Sequence, residues 1–211
     1  MINESFYVIT ISHQFGSGGA LLGQKISERL GIPLVDQQIL KWVSEQLNLT
    51  EVELEKRQER ISSFWLSFFR TTALIDPVIG ISSEQYYPTD KELFDLESEF
   101  ILQIAKQNSA IFLGRCGRYI LRDHPRHLSI FVHADLSERI KRISELYQLS
   151  KEEAKKYIEK TDSDRNAYIS TFTKQNWLDP RLYDLCVNTG TIELDQIVEL
   201  VNNYMQSKTN N

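Results

Sequence analysis

From Phe6 to Ser12 the chain is apolar and β-branched (Phe-Tyr-Val-Ile-Thr-Ile-Ser), and it then breaks into Gly16-Ser17-Gly18-Gly19. That pattern predicts a first strand over Phe6–Ser12 followed by a turn. Beyond the glycines, Leu22, Ile26 and Leu30 fall at i, i+4 and i+8, which predicts a helix over Ala20–Leu30 that Gly31 ends. Pro33–Asp36 reads as a brief second strand or its approach. Ala110–Leu113, Leu128–His133 and Leu185–Asn188 read as further short apolar strands. Strand-like and helix-like segments alternate, which favours a parallel sheet with helices on its faces. Right-handed crossovers between parallel strands then bring the glycine loop and the other strand C-termini to one crevice.

Helix starts are marked by side chains that can cap them. Thr50-x-x-Glu53, Thr89-x-x-Glu92 and Ser150-x-x-Glu153 fit a capping box, and Asp135-x-x-Glu138 is its aspartate variant. The helix from Leu136 places Leu136, Ile140, Ile143 and Tyr147 on an apolar stripe, with Arg139 and Arg142 together on a neighbouring face. Ile61–Pro88 is rich in aromatics and has no clean period. It is read either as an insertion that caps a binding site or packs on a partner subunit, or as extra core under a long connection.

Length and charge narrow the class. At 211 residues the chain suits one α/β domain with a lid or insertion. Its net charge of −5 argues against a nucleic-acid groove, for which a basic domain or stripe is expected. Cys116 and Cys186 are the two cysteines and read as reduced thiols rather than a disulfide scaffold. The N-terminus has no basic segment ahead of its apolar stretch, and no apolar run approaches the ~20 residues of a membrane span. The expectation is a cytoplasmic protein with no membrane association.

Strand, glycine-rich loop and helix in that order are what a phosphate-binding loop requires. Glycines let several backbone N–H groups turn inward, and the helix N-terminus adds roughly half a positive charge. Three glycines in four residues also suit a merely flexible turn. The pattern G-x-x-x-x-G-K-[ST] is not matched, because Gly19 stands where its lysine belongs.

Taken with these residues, Gly16–Asp36 resembles the start of the cytidylate-kinase-like branch of nucleoside monophosphate kinases. Phe112-Leu113-Gly114-Arg115 resembles that family's Gly-Arg turn after the third strand. Leu128–Ile143 resembles its strand and arginine-bearing helix leading to a lid. Asp162-Ser163-Asp164-Arg165 with Tyr168 resembles its lid-side motif, and Tyr183–Thr189 its closing strand. The resemblance implies an α/β P-loop kinase fold of three layers, with a central parallel sheet flanked by helices, a lid over about 150–175 and a helical insertion. It implies a core over about 5–49 and 106–206, an acceptor-binding insertion over about 50–105, ATP with Mg²⁺ as donor, and CMP or dCMP as acceptor.

Site roles follow from the same resemblance. Gly16, Ser17, Gly18, Gly19 and Ala20 are expected around the donor phosphates, with Arg139 and Arg142 at the donor side near the lid. Arg115 is expected on the acceptor phosphate, Asp162 at the acceptor nucleoside, and Arg165 at the transferring phosphoryl group. Arginine suits such work because its planar fork donates paired bonds to phosphate and stays charged. The plainer alternatives are a surface position for Arg115, mutual pairing of Asp162 with Arg165, and a solvated helix face for Arg139 and Arg142.

The chain departs from the family at several places. Ala20 stands where an arginine often follows the loop glycines, His13 where an arginine often precedes the loop, and Cys116 where an aspartate follows Gly-Arg. Ser12 or Ser17 is left as the source of a metal-side hydroxyl, and Lys25 lies too far into the helix to replace the missing lysine. A nucleotide-binding protein without catalysis, or a kinase for another small acceptor, therefore stands as the alternative function. His124 and His127 read as a surface loop and His133 as a core or crevice residue, with no metal site expected. The charge run Lys151–Lys160 reads as a solvated helix face, and the aromatic 64–87 segment is a candidate homodimer face.

Overall fold

The computed structural model of the chain describes residues 6–36 and 89–209. In chain order the elements are β1 (Val8–His13), α1 (Gly19–Leu30), β2 (Leu34–Val35), α2 (Asp90–Gln107), β3 (Ala110–Leu113), α3 (Gly117–Ile120), β4 (His127–His133), α4 (Leu136–Tyr147), α5 (Lys151–Thr173), a 3₁₀ turn (Pro180–Leu182), β5 (Leu185–Asn188) and α6 (Leu194–Thr209). The five strands form one all-parallel sheet in the order β2-β3-β1-β4-β5. Val8 sits opposite Ala110 on one side and His127 on the other, so β1 is central.

Burial on both faces explains why β1, β3 and β4 read as nearly continuous apolar runs. Ile9 and Ile11 of β1 join Ile111, Leu113, Ile130 and Val132 beneath α1 and α6. The alternate residues Val8, Ala110 and Phe112 face Leu93, Phe100 and Ile101 of α2. A third cluster, Phe15, Ile143, Ala154 and Ile158, ties α4 and α5 to the glycine loop. Residues 90–107, which the sequence reading placed mostly in an insertion, thus form a helix packed on the sheet.

Other expectations shift in detail. The first strand starts at Val8 rather than Phe6, because the Tyr7 amide donates to the Ser109 hydroxyl at 3.0 Å. Thr89 and Ser150 form complete capping boxes, but the Asp135 side chain makes no cap bond. His124 is buried rather than exposed, and His127 begins β4 with its Nε2 2.7 Å from the Thr10 hydroxyl. The polar run at the start of α5 is largely solvated, with Ala154 and Ile158 as its buried positions. The Thr50 capping box and the aromatic 61–88 segment lie outside the described residues. None of the described helices is long and apolar enough to cross a membrane.

Candidate phosphate-binding site

The loop between β1 and α1 is held in shape by its own backbone. The Gln14 amide donates to the Val132 carbonyl at 3.0 Å, and the Ser17 amide to the Gln14 carbonyl at 3.1 Å. Gly16 and Gly18 have φ of 80° and 81°, in the left-handed region that glycine enters without a Cβ penalty. The N-cap of α1 is Gly18, which has no side chain to cap the orphan N–H groups of the first turn, the kind of helix start that can bind an anion. Gly16, Gly18, Gly19 and Ala20 line a cavity of about 900 Å³, within the range of small-molecule sites. Ser17 is fully buried and its hydroxyl donates to the Val132 carbonyl at 3.2 Å. It is therefore turned away from the cavity, and Ser12 is the loop-side hydroxyl that lines it.

Position 19 is closed to any side chain. A Cβ there would lie 2.4 Å from the His13 Cβ. The His13 imidazole occupies that side of the loop, and burial followed by the Arg165 charge holds its pKa well below the ordinary value. The ring is thus neutral. Lys25 pairs with Asp195 at 2.7 Å on the surface and contributes nothing to the loop.

Four neighbours brace the loop from behind. Asp162 on α5 accepts from the Phe15 amide at 2.9 Å, and Arg139 on α4 donates to the Phe15 carbonyl at 3.1 Å. Arg139 and Asp162 pair with each other at 2.5 Å. The backbone N–H and C=O of Phe15 are thereby both clamped by one ion pair. The Thr189 hydroxyl donates to the Ser17 carbonyl at 2.6 Å, and Arg165 donates to the His13 carbonyl. Asp162 thus pairs with Arg139 rather than Arg165, and its carboxylate lies against the loop rather than in the main cavity. Arg139 is buried at the same brace, whereas Arg142 diverges to the cavity, where Thr189 fixes it through its hydroxyl at 2.9 Å and its carbonyl at 2.6 Å.

Across the cavity, β3 ends in three consecutive left-handed residues: Gly114 (φ 69°), Arg115 (φ 53°) and Cys116 (φ 53°). Two non-glycine residues in that region are backbone strain of the kind functional turns hold. The turn sends Arg115 inward to pair with the fully buried Glu97 of α2, with Asp36 3.9 Å from its Nε. Burial, opposed by Arg115, raises Glu97 to about 7 and also raises Asp36. The Tyr168 hydroxyl donates to Glu97 at 3.3 Å. Burial pushes the Cys116 thiol far above its usual range, so it is no nucleophile.

Sequence reasoning missed Glu97, Arg118 and the role of His13. Glu97 carried a usable signal, since it sits between Leu93, Phe100 and Ile101 on the apolar stripe of α2. Arg118 lies three residues beyond Arg115 and lines the cavity. Among the described residues, no group of three or more His, Cys, Asp and Glu is gathered to hold a metal ion.

A parallel sheet in this order, a glycine loop opening α1 and arginines on the facing wall define a P-loop kinase fold. Residues 8–191 match the model of the cytidylate kinase-like family, and the chain belongs to that family. No curated protein matches the chain. Among solved structures, an uncharacterized protein from Eubacterium ventriosum is similar, with 24% identity, TM-score 0.69, and coverage of 95% of this chain and 99% of that one. A shikimate kinase from Bacteroides thetaiotaomicron superposes with TM-score 0.54 at 12% identity, covering 95% of this chain and 98% of that one. One from Acinetobacter baumannii, solved with shikimate, gives 0.52 at 10%, covering 97% and 96%. At these identities the likeness concerns the fold.

Proposed function

We propose that the protein transfers the γ-phosphoryl group of ATP to a nucleoside monophosphate, with CMP or dCMP as the first candidates. The observation that carries this reading is the uncapped start of α1, opened by Gly16–Gly19 onto a cavity whose walls also carry Arg115, Arg142 and Arg165. Membership of the cytidylate kinase-like family supports the choice of acceptor. In the reaction an oxygen of the acceptor phosphate bonds to the γ-phosphorus as the bond to the β,γ-bridging oxygen breaks, and ADP leaves. Such transfer needs positioning and charge neutralisation more than covalent chemistry from the protein.

Backbone N–H groups of the loop cradle the donor phosphates in this reading. Arg142, fixed by Thr189, adds charge near Gly18, whose Cβ position is 3.8 Å from its Nη1. Arg165 lies between the His13 carbonyl and the Trp177 ring and reaches the transferring group. The acceptor phosphate meets the wall that the 114–118 turn builds across the cavity from the loop. Helix α5 closes the site against water as the lid. Mg²⁺, when bound with the triphosphate, neutralises charge on its oxygens. Ser12 and Asp36 are oxygen donors on the cavity wall suited to hold it, since the ion takes one or two protein oxygens and completes its shell with phosphate and water.

The test is phosphoryl transfer from ATP–Mg²⁺ to a panel of nucleoside monophosphates, scored by product. Diphosphate formed from CMP or dCMP supports the reading; no product with any acceptor overturns it. One observation favours a second reading, a nucleotide-binding protein without catalysis: His13 leaves no room for a lysine at position 19. ATP binding without turnover is its signature.

A further inference from the structure

Five arginines surround the loop and its cavity, and their partners divide them into two kinds. Arg115 and Arg139 are paired with carboxylates. Arg118, Arg142 and Arg165 are held by neutral acceptors, and among the described residues none of the three has a carboxylate at ion-pair distance. Arg118 donates from Nε to the Leu182 carbonyl at 2.5 Å and from Nη1 to Gln175 Oε1 at 2.8 Å, with its guanidinium 6.0 Å from the centre of the Tyr183 ring. These contacts fix the direction of the fork, and among the described residues no carboxylate compensates its charge. Of its five N–H donors, those two bonds engage two.

Arg142 and Arg165 lie beside the loop, at the donor side. Arg118 instead belongs to the wall built by α3 and the 175–183 segment, immediately after the strained Gly114–Cys116 turn. That turn directs Arg115 into the protein, where it pairs with Glu97 and Asp36, and lets Arg118 line the cavity one turn later. An anion entering this wall gains more from the uncompensated guanidinium, since it displaces no carboxylate.

We propose that Arg118 is the residue that binds the phosphate dianion of the acceptor, with Arg115 acting as the buried support of the wall beside it. This rests on the kinase reading above for the identity of the acceptor. Titration calorimetry with CMP, cytidine, ATP and inorganic phosphate on the wild type, Arg118→Gln and Arg118→Lys tests it. The expected result is a loss of about tenfold or more in CMP affinity for Arg118→Gln, the scale of a lost charged hydrogen bond. Affinity for cytidine and ATP stays unchanged, and Arg118→Lys recovers part of the CMP loss. A Gln variant that binds CMP as the wild type does, or that loses cytidine and ATP equally, overturns the proposal while leaving the kinase reading in place. A wild type that binds inorganic phosphate through Arg118 but no monophosphate keeps the anion site and overturns the nucleotide reading. Binding of neither CMP nor phosphate overturns both.

Discussion

At position 19 a single steric contact decides which kind of phosphate loop this chain can have. The Cβ of any residue there meets the His13 Cβ at 2.4 Å, so the lysine of the commoner loop is excluded by the last residue of β1. Gly19→Ala is expected to lower stability by about 1–3 kcal/mol, as overpacking does, and to weaken ATP binding. The double variant His13→Gly/Gly19→Lys removes the clashing Cβ and is expected to bind ATP better than Gly19→Lys alone; equal binding by the two would remove His13 from the explanation. Glu97 gives a second prediction, in pH. Its folded pKa of about 7 lies above the ordinary 4.5, so the native protein holds a proton there that the unfolded chain has lost. Stability from this group therefore falls as pH rises from about 4.5 to about 7, then levels. His13 acts oppositely, costing stability as pH falls through its ordinary value, but it is common to both proteins compared. Urea midpoints of the wild type minus those of Glu97→Gln should decline across that window, and a flat difference would contradict the assignment.

Among the elements, α4 and α5 matter for what they do to the loop. Arg139 and Asp162 are 23 positions apart and meet only because two helices cross behind Phe15. Helical spacing placed Arg139 beside Arg142 but carried no information about what α5 would bring across, so the brace was illegible in sequence. Asp162→Asn is expected to raise KM for ATP about tenfold, the scale of a lost charged bond, with KM for the acceptor unchanged. A rise confined to the acceptor would instead place Asp162 at the nucleoside. The local signals, by contrast, were legible: Ser150-x-x-Glu153 and Thr89-x-x-Glu92 form the boxes their spacing predicts. Ser150→Ala should cost about 1 kcal/mol of stability, measured by urea unfolding with the Glu153 side chain intact. Asp135 shows the limit of that signal, since the same spacing produced no side-chain bond.

For the whole molecule, the alternation of apolar strands and amphipathic helices was enough to predict the parallel sheet and the crevice at its C-terminal edge. Ala110–Leu113 falls where the pattern put it because a strand buried on both faces has little choice of residue, and Leu185–Asn188 also falls in place although Cys186 of this edge strand is exposed. The buried ion pairs were not readable: Glu97 and Arg115 are 18 positions apart and belong to different elements joined by tertiary packing. These pairs set the charge of the site, neutralising one set of arginines and leaving another exposed to a phosphate ligand. The central claim is that this arrangement passes a phosphoryl group to a nucleotide rather than to water. The most direct measurement follows radiolabel from the γ-position of ATP in the presence and absence of CMP, with Mg²⁺. The account predicts ADP and labelled CDP in equal amounts when CMP is present, and little ADP without it. Bound ATP with no labelled nucleotide formed from any monophosphate would contradict it.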